Sequence, residues 1–355
     1  MTVLGVPTGI RAWAPGRVNL IGDHTDHTGG LALPMAIDLG TTVSGHTGGD
    51  VVELRSPIGP EPAIVPLNVD DPGAVSPGWA RYVAGVVAEL RPSVGLSGSV
   101  ATTLPVGAGL SSSAALEVAV ALALGFEGSA LELAQLGQRA EQRASGVPCG
   151  IMDQLASAAG VTGHALRIDC TTLEVRPVPL PDDLEVVVVD SGQRRALATS
   201  AYADRAAACQ AAQASIGPLR DATLADLAGV SDEVVRRRAR HVITENARVD
   251  HLAEALGSGD RQSMADAMTA SHRSLREDFE VSTPELDALV DQLQTVDGVL
   301  AARLTGAGFG GCVVVLAGRG APLPDELTLW RVTASAGARL IVGSPEGPAA
   351  QQPRA

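Results

Sequence analysis

The stretch from Leu104 to Ala115, with the sequence LPVGAGLSSSAA, constrains the fold more than any other part of the chain. An extended run over residues 98–104 leads into it, and an apolar run over residues 114–124 leaves it without a helix breaker until Gly125. This order predicts a strand, a glycine-rich loop and then a helix. Taken alone, the stretch is also typical of a glycine-rich turn that precedes a well-capped core helix.

The composition of this loop suits the binding of an anion. Its glycines carry no Cβ and therefore let the backbone come close to a ligand. Its three serines stand where a helix N-cap is expected and can cap unpaired amides. The remaining N–H groups at the helix end, with the positive end of the helix dipole behind them, suit a phosphate group. The loop is not a Walker A motif, because the Gly-Lys-Ser/Thr ending is missing.

Lysine is absent from the chain, and all 26 basic residues are arginine. This excludes a P-loop lysine, a protein-kinase lysine and Schiff-base chemistry. The positive charge that binds a phosphate must therefore come from an arginine, from the N-terminal end of a helix or from a metal ion. The net charge of −14 argues against partners such as nucleic acid or an anionic membrane. It suits a metabolic enzyme that brings Mg²⁺ to an anionic ligand.

Length and hydrophobicity indicate a globular protein with two domains. A chain of 355 residues, 45% of them hydrophobic, can bury two cores. No apolar run reaches the length of a membrane span, and residues 1–11 lack the pattern of a signal peptide, so we expect a cytoplasmic protein. The cysteines form no CxxC pair and are expected to be reduced and mostly buried; they are Cys149, Cys170, Cys209 and Cys312.

A change of character near residues 179–183 divides the chain into predicted domains at residues 1–180 and 181–355. Residues 11–60 are expected to form strands and turns, with a turn entered at residues 11–15. We predict helices at residues 80–90, 114–124, 130–144, after Asp153, and at 199–215, 234–256, 261–273 and from Pro284 towards Leu293. We predict strands at residues 31–37, 50–55, 184–190, 301–304 and 312–316, with a strand pair inside 166–178. The tail from residue 343 is rich in Pro, Gly and Gln and is expected to fray.

A polar motif near the N-terminus, GRVNLIGDHTDHTGG at residues 16–30, concentrates carboxylates, imidazoles and an arginine. Asp23, His24 and Asp26 can form hydrogen bonds to several hydroxyl groups of a sugar. Two other interpretations remain open for this motif. One is a zinc site built from His24, Asp26 and His27, although no Cys cluster or HExxH motif accompanies it. The other is a solvated polar turn.

Two further segments carry candidate site residues. The second glycine-rich stretch, LTGAGFGGC at residues 304–312, leads into a strand rather than a helix, so it is not a dinucleotide fingerprint. We interpret it as a loop lying close over a ligand, with a glycine hairpin as the alternative. The segment GVPCGIMDQ at residues 146–154 follows Glu141 and places Asp153 at the start of a helix. The alternative for Asp153 is an acid that serves only the helix dipole.

These motifs, in this order, resemble those of the GHMP small-molecule kinases, and within them the galactokinase family. Residues 236–248, RRRARHVITENAR, and residues 271–287, SHRSLREDFEVSTPELD, are similar to galactokinase segments as well. The resemblance covers residues 11–320. It implies an α+β, two-domain GHMP kinase fold, with an N-terminal domain like ribosomal protein S5, a ferredoxin-like C-terminal domain and the active site between them.

The resemblance also implies an activity, the transfer of the ATP γ-phosphate to the C1 hydroxyl of D-galactose, and a role for each site residue. Asp153 is implied as the acceptor of the anomeric hydroxyl proton and Arg17 as the arginine that stabilises the transition state. The implied sugar contacts are Asp23, His24, Thr25, Asp26, Gly150, Tyr202 and Arg194. The implied ATP contacts are Ser56, Trp79, Gly107, Ala108, Gly109, Leu110, Ser111, Ser112 and Ser113. The implied ligands of Mg²⁺, the expected cofactor, are Ser113 and Glu141, and no obligate protein partner is expected.

Several positions depart from the galactokinase pattern. Asp23 stands where a Glu is usual, His27 and Thr28 replace a Tyr-Asn pair, Arg195 replaces a His, and Thr283 replaces a Cys. Most of these positions lie near the sugar segments, so a GHMP kinase for another sugar is an alternative, including a uronate kinase with Arg195 near the carboxylate. A catalytically inactive sugar sensor is a further alternative. It is disfavoured because the glycine- and serine-rich loop at residues 104–115, the serine loop, is intact, and so is Asp153.

Overall fold

A computed structural model describes residues 9–57, 59–105, 107–147, 149–193 and 198–341. The strands are β1 Gly9–Asn19, β2 Leu31–Ala32, β3 Pro34–Thr47, β4 Val51–Arg55, β5 Ala63–Pro66, β6 Leu96–Thr102, β7 His164–Asp169, β8 Val175–Pro179, β9 Leu184–Asp190, β10 Val299–Thr305, β11 Cys312–Gly318, β12 Leu329–Val332 and β13 Arg339–Leu340. The helices are α1 Ala80–Leu90, α2 Ser112–Ala123, α3 Ala130–Ser145, α4 Met152–Ala159, α5 Ala198–Ile216, α6 Glu233–Ser258, α7 Arg261–Glu277 and α8 Pro284–Gln294. The predicted helices are confirmed to within a few residues at their ends, whereas β5, β12 and β13 were not predicted.

The N-terminal part is built on a six-stranded sheet in the order β13-β1-β3-β6-β4-β5. The pairs are antiparallel except β4 with β6, which run parallel. Helix α2 packs against β1 and β3, and α1, α3 and α4 pack around it. Nine of its twelve residues are buried, which explains why its sequence is apolar on every face.

The expected turn at residues 11–15 is wrong, because these residues lie inside strand β1. β1 pairs antiparallel with β3 from Gly9 opposite His46 to Asn19 opposite Pro34. The register shifts between Pro15 and Arg17, as at a β-bulge. A proline next to a bulge can stay in a sheet, since the irregular site needs no ladder donor there. The turn-like composition therefore marks a bulge and not the end of a strand.

The C-terminal part combines a four-stranded sheet, in the order β10-β11-β9-β12, with helices α5 to α8. The four consecutive valines at residues 186–189 in β9 are all buried, as predicted for a strand covered on both faces. Helix α6 begins after Asp232, whose carboxylate accepts from Val235 N, and ends at Gly259 in the left-handed conformation. It packs against α7, which in turn packs against β10.

The two parts share strands and core. β13 lies after the C-terminal sheet in sequence but pairs with β1 of the six-stranded sheet. One apolar cluster joins Val18 and Leu20, which belong to the N-terminal part, to Leu252 of α6 and Val314 of β11. The division at residue 180 stays a prediction. Among the helices of the described ranges, none combines the length and the apolar composition that a bilayer span requires.

Candidate active site

A cavity of about 490 Å³ lies where the serine loop, the polar N-terminal motif and the start of α4 meet. The second glycine-rich loop also reaches it, through Gly306 and Ala307. Sequence-predicted site residues that line it are Arg17, Asp23, His24, Asp26, Gly107, Gly109, Ser111, Ser112, Ser113, Glu141, Gly150, Asp153 and Tyr202. The motifs singled out in the sequence therefore converge on one cavity.

Asp153 and Arg17 form a two-pronged ion pair on the cavity wall. Arg17 Nε donates to Asp153 Oδ1 at 2.7 Å, and Arg17 Nη2 donates to Oδ2 at 2.9 Å. The third arm, Nη1, donates to the carbonyl oxygen of Gly109 at 2.7 Å. Arg17 lies on β1, where it is 5% exposed, and Asp153 lies in the first turn of α4. One guanidinium thus connects a carboxylate to the backbone of the glycine-rich loop.

The serines of the loop do not cap helix α2, contrary to the prediction. Ser111 precedes the helix in the left-handed conformation, with φ 55°, and its hydroxyl makes no capping bond. It donates instead to Asp153 Oδ2 at 2.5 Å. Ser113 Oγ donates to Glu141 Oε1 at 2.9 Å. Because the hydroxyls serve neighbouring carboxylates, the first N–H groups of α2 are left for an external acceptor.

Behind Ser113, two buried carboxylates share one amide. Gln154 Nε2 donates to Glu141 Oε2 at 2.5 Å and to Glu117 Oε2 at 3.1 Å. Burial raises the pKa of Glu141, and the nearby charge of Asp153 raises it further. Burial and the charge of Glu141 raise the pKa of Glu117 well above its usual range. The carboxylates here outnumber the guanidinium of Arg17, which is an arrangement that favours a bound cation.

On the other side of the cavity, Asp26 of the polar motif packs closely against Gly150. A Cβ at Gly150 would lie 1.9 Å from Asp26 Oδ2, so only glycine allows this approach. Burial alone would raise the pKa of Asp26, but hydrogen bonds and charge from His27 outweigh burial and lower it. The rings of His24 and Tyr202 lie 5.7 Å apart, centroid to centroid.

Each oxygen of the Asp23 carboxylate accepts a hydrogen bond from the C-terminal part. Arg303 Nη2, on β10, donates to Asp23 Oδ2 at 2.5 Å, and Gly306 N donates to Oδ1 at 2.8 Å. Both side chains are buried, Arg303 completely and Asp23 to within 2%. Burial raises the pKa of Asp23, although the charge of Arg303 opposes this. A carboxylate has about four lone-pair sites, so Asp23 can still accept a further hydrogen bond from the cavity.

Other predicted contacts do not line the cavity. Thr25 is buried and donates to the carbonyl oxygens of Gly22 and Leu31, so it supports the turn from within. Among the predicted ATP contacts, Ala108, Leu110, Ser56 and Trp79 are not on the cavity wall, and their roles stay predictions. Trp79 precedes α1 and packs against the N-terminal core. Arg194 and Arg195 lie outside the described residues.

Sequence reasoning missed the partners that hold the predicted residues. Gln154 stands beside Asp153, but no local pattern indicates its bonds to the two glutamates. Arg303 immediately precedes the second glycine-rich stretch and was not singled out. Cys149 and Met152 line the cavity and were passed over because neither suggests catalysis. The zinc interpretation gains no geometric support, since the described ranges hold no cluster of three or more metal-ligating side chains.

The fold and this site define a small-molecule kinase of the GHMP class. Models of the GHMP kinase N-terminal domain and C-terminal domain match residues 81–161 and 252–326. A mevalonate kinase structure from Methanococcus jannaschii shares the fold, with a TM-score of 0.68 and 20% identity, covering 94% of this chain and 99% of that one.

Within this class the chain belongs to the galactokinase family. The galactokinase galactose-binding signature matches residues 3–47. Galactokinase of Homo sapiens is 44% identical over 324 residues, which cover 85% of this chain and 82% of the human protein. The crystal structure of Lactococcus lactis galactokinase complexed with galactose superposes with a TM-score of 0.86 and 31% identity, covering 93% of this chain and 95% of that one.

Proposed function

We propose that the protein transfers the γ-phosphate of ATP to the C1 hydroxyl of D-galactose and releases α-D-galactose 1-phosphate and ADP. This reaction belongs to galactose catabolism. The observation that carries the proposal is the position of Asp153, which lines the same cavity as the serine loop and the polar N-terminal motif. Membership of the galactokinase family and the likeness to a galactokinase complexed with galactose support the choice of sugar.

In this proposal Asp153 accepts the proton of the C1 hydroxyl while that oxygen forms a bond to the γ-phosphorus and the bond to ADP breaks. Arg17 stabilises the charge on the phosphoryl group during transfer. Its guanidinium group also orients the Asp153 carboxylate and holds the carbonyl oxygen of Gly109 in place through hydrogen bonds. Positioning and charge neutralisation are the main requirements of phosphoryl transfer, and the chain supplies them without lysine.

Mg²⁺ is the metal that we propose for the site, held by Ser113 and Glu141. A hydroxyl and a carboxylate oxygen 2.9 Å apart fit an ion that takes few protein ligands and completes its shell with phosphate and water. Two further features fit a bound cation. Carboxylates outnumber guanidinium groups here, and Glu117 Oε1 is buried without a hydrogen-bond partner. When bound, the ion would neutralise phosphate charge beside the N-terminus of α2.

For sugar recognition, we propose that Asp23, His24, Asp26 and Tyr202 contact the hydroxyl groups. Arg303 holds the Asp23 carboxylate in place. Gly150 would let the sugar approach the backbone. Thr25 would act through the turn, and the roles of Arg194, Ser56 and Trp79 remain those that the resemblance implies. We place the reaction in the cytoplasm, where the four cysteines, all free thiols, would stay reduced.

A panel of sugars with ATP and Mg²⁺, scored for ADP release, tests the proposal. D-galactose is expected to give the highest kcat/KM, ahead of D-glucose, L-arabinose and D-galacturonate. A preference for another sugar by tenfold or more, about 1.4 kcal/mol of discrimination, would overturn galactose while leaving the kinase assignment in place. Absence of ADP release with every sugar would favour the sensor alternative.

A further inference from the structure

Three side chains of helix α6 contact backbone groups of the turn at residues 22–31, which runs from the polar N-terminal motif into the first residue of β2. Gly22 N donates to Glu245 Oε1 at 3.0 Å, and Leu31 N donates to Asn246 Oδ1 at 2.8 Å. The carbonyl oxygen of Asp23 lies 3.1 Å from His241 Nε2. Glu245 and His241 are completely buried. The first and last residues of the turn, and the residue before His24, are therefore held by one helix more than 200 positions away in sequence.

The segment between these bonds needs such support, because His24 adopts a left-handed backbone with φ 65°. Residues other than glycine rarely adopt this backbone conformation unless the surrounding structure stabilises it. His24 nevertheless carries a cavity-lining ring, which packs on Phe279 with centroids 4.5 Å apart. The bonds at Gly22 N and Asp23 O fix the backbone immediately before it.

The helix side chains are themselves held in the state that these bonds require. Glu245 accepts from Ser271 Oγ at 2.6 Å and from Arg248 Nε at 2.7 Å, and these neighbours keep its carboxylate oriented. His241 Nδ1 lies 2.9 Å from Ser274 Oγ. Burial lowers the pKa of His241 to about 4, so the ring is neutral near pH 7. Because the carbonyl oxygen of Asp23 can only accept, the neutral ring carries its proton on Nε2 and donates it there. Nδ1 then accepts from Ser274 Oγ, which is closer to this nitrogen than to its other acceptor, Asp278 Oδ2 at 3.3 Å.

We propose that Glu245 and His241 are positioning residues for sugar binding, which hold the turn so that His24 and Asp23 face the sugar. This rests on the proposed function, since the ligand of the turn is taken to be galactose. It gives a role to residues 236–248 and 271–287, the two segments similar to galactokinases that have no place on the cavity wall. Neither Glu245 nor His241 touches the cavity, so both act through the backbone of the turn.

The first test is Glu245→Gln. The cation of Arg248 attracts the amide oxygen, which leaves the amide NH₂ facing Gly22 N–H, so the turn loses its acceptor. The galactose KM is expected to rise about tenfold, as when a contacting group is slightly misplaced. The ATP KM is expected to stay within about twofold, because the described residues of the serine loop form no hydrogen bond with α6. Glu254→Gln on an exposed position of the same helix is the matched control and should change neither constant.

The second test separates the hydrogen bond from the packing of His241. His241→Gln keeps a donor at the reach of Nε2 and should retain most of the galactose affinity, whereas His241→Leu should lose it. Isothermal titration with galactose, together with melting temperatures, gives a readout apart from turnover. Unchanged galactose binding in both Glu245→Gln and His241→Leu would overturn the proposal. Equal increases in the galactose and ATP KM values would overturn it too, since they indicate general loosening.

Failure of this proposal is distinguishable from failure of the proposed function. The sugar panel on the wild-type protein tests the function directly. If that panel selects another sugar, the same variants are measured with that sugar, and the split between the sugar KM and the ATP KM still decides the role of the two residues.

Discussion

Replacing Asp153 with asparagine is the sharpest test of the catalytic assignment. The substitution keeps the shape of the side chain and removes its charge. Three donors converge on this carboxylate, two from Arg17 and one from Ser111. If the amide oxygen takes the Oδ2 position, it keeps Arg17 Nη2 and Ser111, and the NH₂ group then faces Arg17 Nε. The variant therefore loses one charge-assisted hydrogen bond and gains a contact between two donors.

The cost in stability is small compared with the expected loss of activity. A hydrogen bond to a charged group contributes about 1.5–3 kcal/mol. The Asp153 side chain is 28% exposed, so solvent screening reduces the loss to about 1–2 kcal/mol. Loss of a general base lowers turnover by about 10²–10⁴-fold. At about 1.4 kcal/mol per tenfold, this raises the barrier by about 3–5 kcal/mol, a larger effect than the loss of folding stability.

The assay is ADP release at saturating galactose, ATP and Mg²⁺, with circular dichroism and a melting curve on the same sample. Asp250→Asn is the matched control, because Asp250 pairs with Arg167 Nε at 2.6 Å and does not line the cavity. It loses a similar carboxylate–arginine pair and is expected to keep normal turnover. Near-normal turnover of the folded Asp153→Asn protein would refute the role of Asp153 as base.

Other contacts of the cavity and of helix α6 give four further expected outcomes. Ser113→Ala and Glu141→Gln should each raise the Mg²⁺ concentration needed for half-maximal rate more than the galactose KM, and a rise in the galactose KM alone would contradict the metal assignment. Arg17→Lys should lower turnover by about 10²-fold, because one ammonium cannot replace three donor arms; a rate within a few-fold of wild type would refute this. Asp23→Glu should keep galactose as the preferred sugar and lower the free energy of unfolding by about 1–2 kcal/mol, because a methylene enters a buried site; kcat/KM for galactose and D-galacturonate tests it, and a tenfold shift towards D-galacturonate would count against galactose. The pKa of His241 is about 4 in the folded protein and about 6.5 in a free histidine, so between these pH values the unfolded chain binds a proton that the folded protein does not. As the pH falls from 6.5 to 4, the free energy of unfolding of the wild type should therefore drop by up to about 3 kcal/mol more than that of His241→Gln. The same drop in both proteins, measured by urea denaturation, would contradict this.

Much of the chain could be predicted from local sequence, because buried elements are rich in apolar residues over their whole length. The apolar run behind the serine loop became α2, and the four valines became β9, each within a few residues of the prediction. Most residues that the sequence predicted for the site line one cavity. They could be chosen because their motifs were recognisable as a set. The roles assigned to them still await experiment, and so does the domain boundary at residue 180.

Local sequence failed where a long-range partner decided the outcome. The serines were expected to cap α2, yet carboxylates from α3 and α4 take the hydroxyls of Ser113 and Ser111. A capping bond is encoded within a few residues, whereas these partners are 28 and 42 positions away. Likewise, residues 11–15 have the composition of a turn, but β3 pairs with them and makes them a strand.

The sequence by itself determined which chemical groups are present: a glycine-rich loop before an apolar helix, a carboxylate at a helix start and no lysine. The tertiary structure alone decided which of those groups meet. Asp23 and Arg303 are 280 positions apart, and no period or motif relates them, yet their ion pair is fully buried. Such a pair forms because the core shared by the two parts brings the turn after β1 against β10, and the cost of burying one charge is offset by the other.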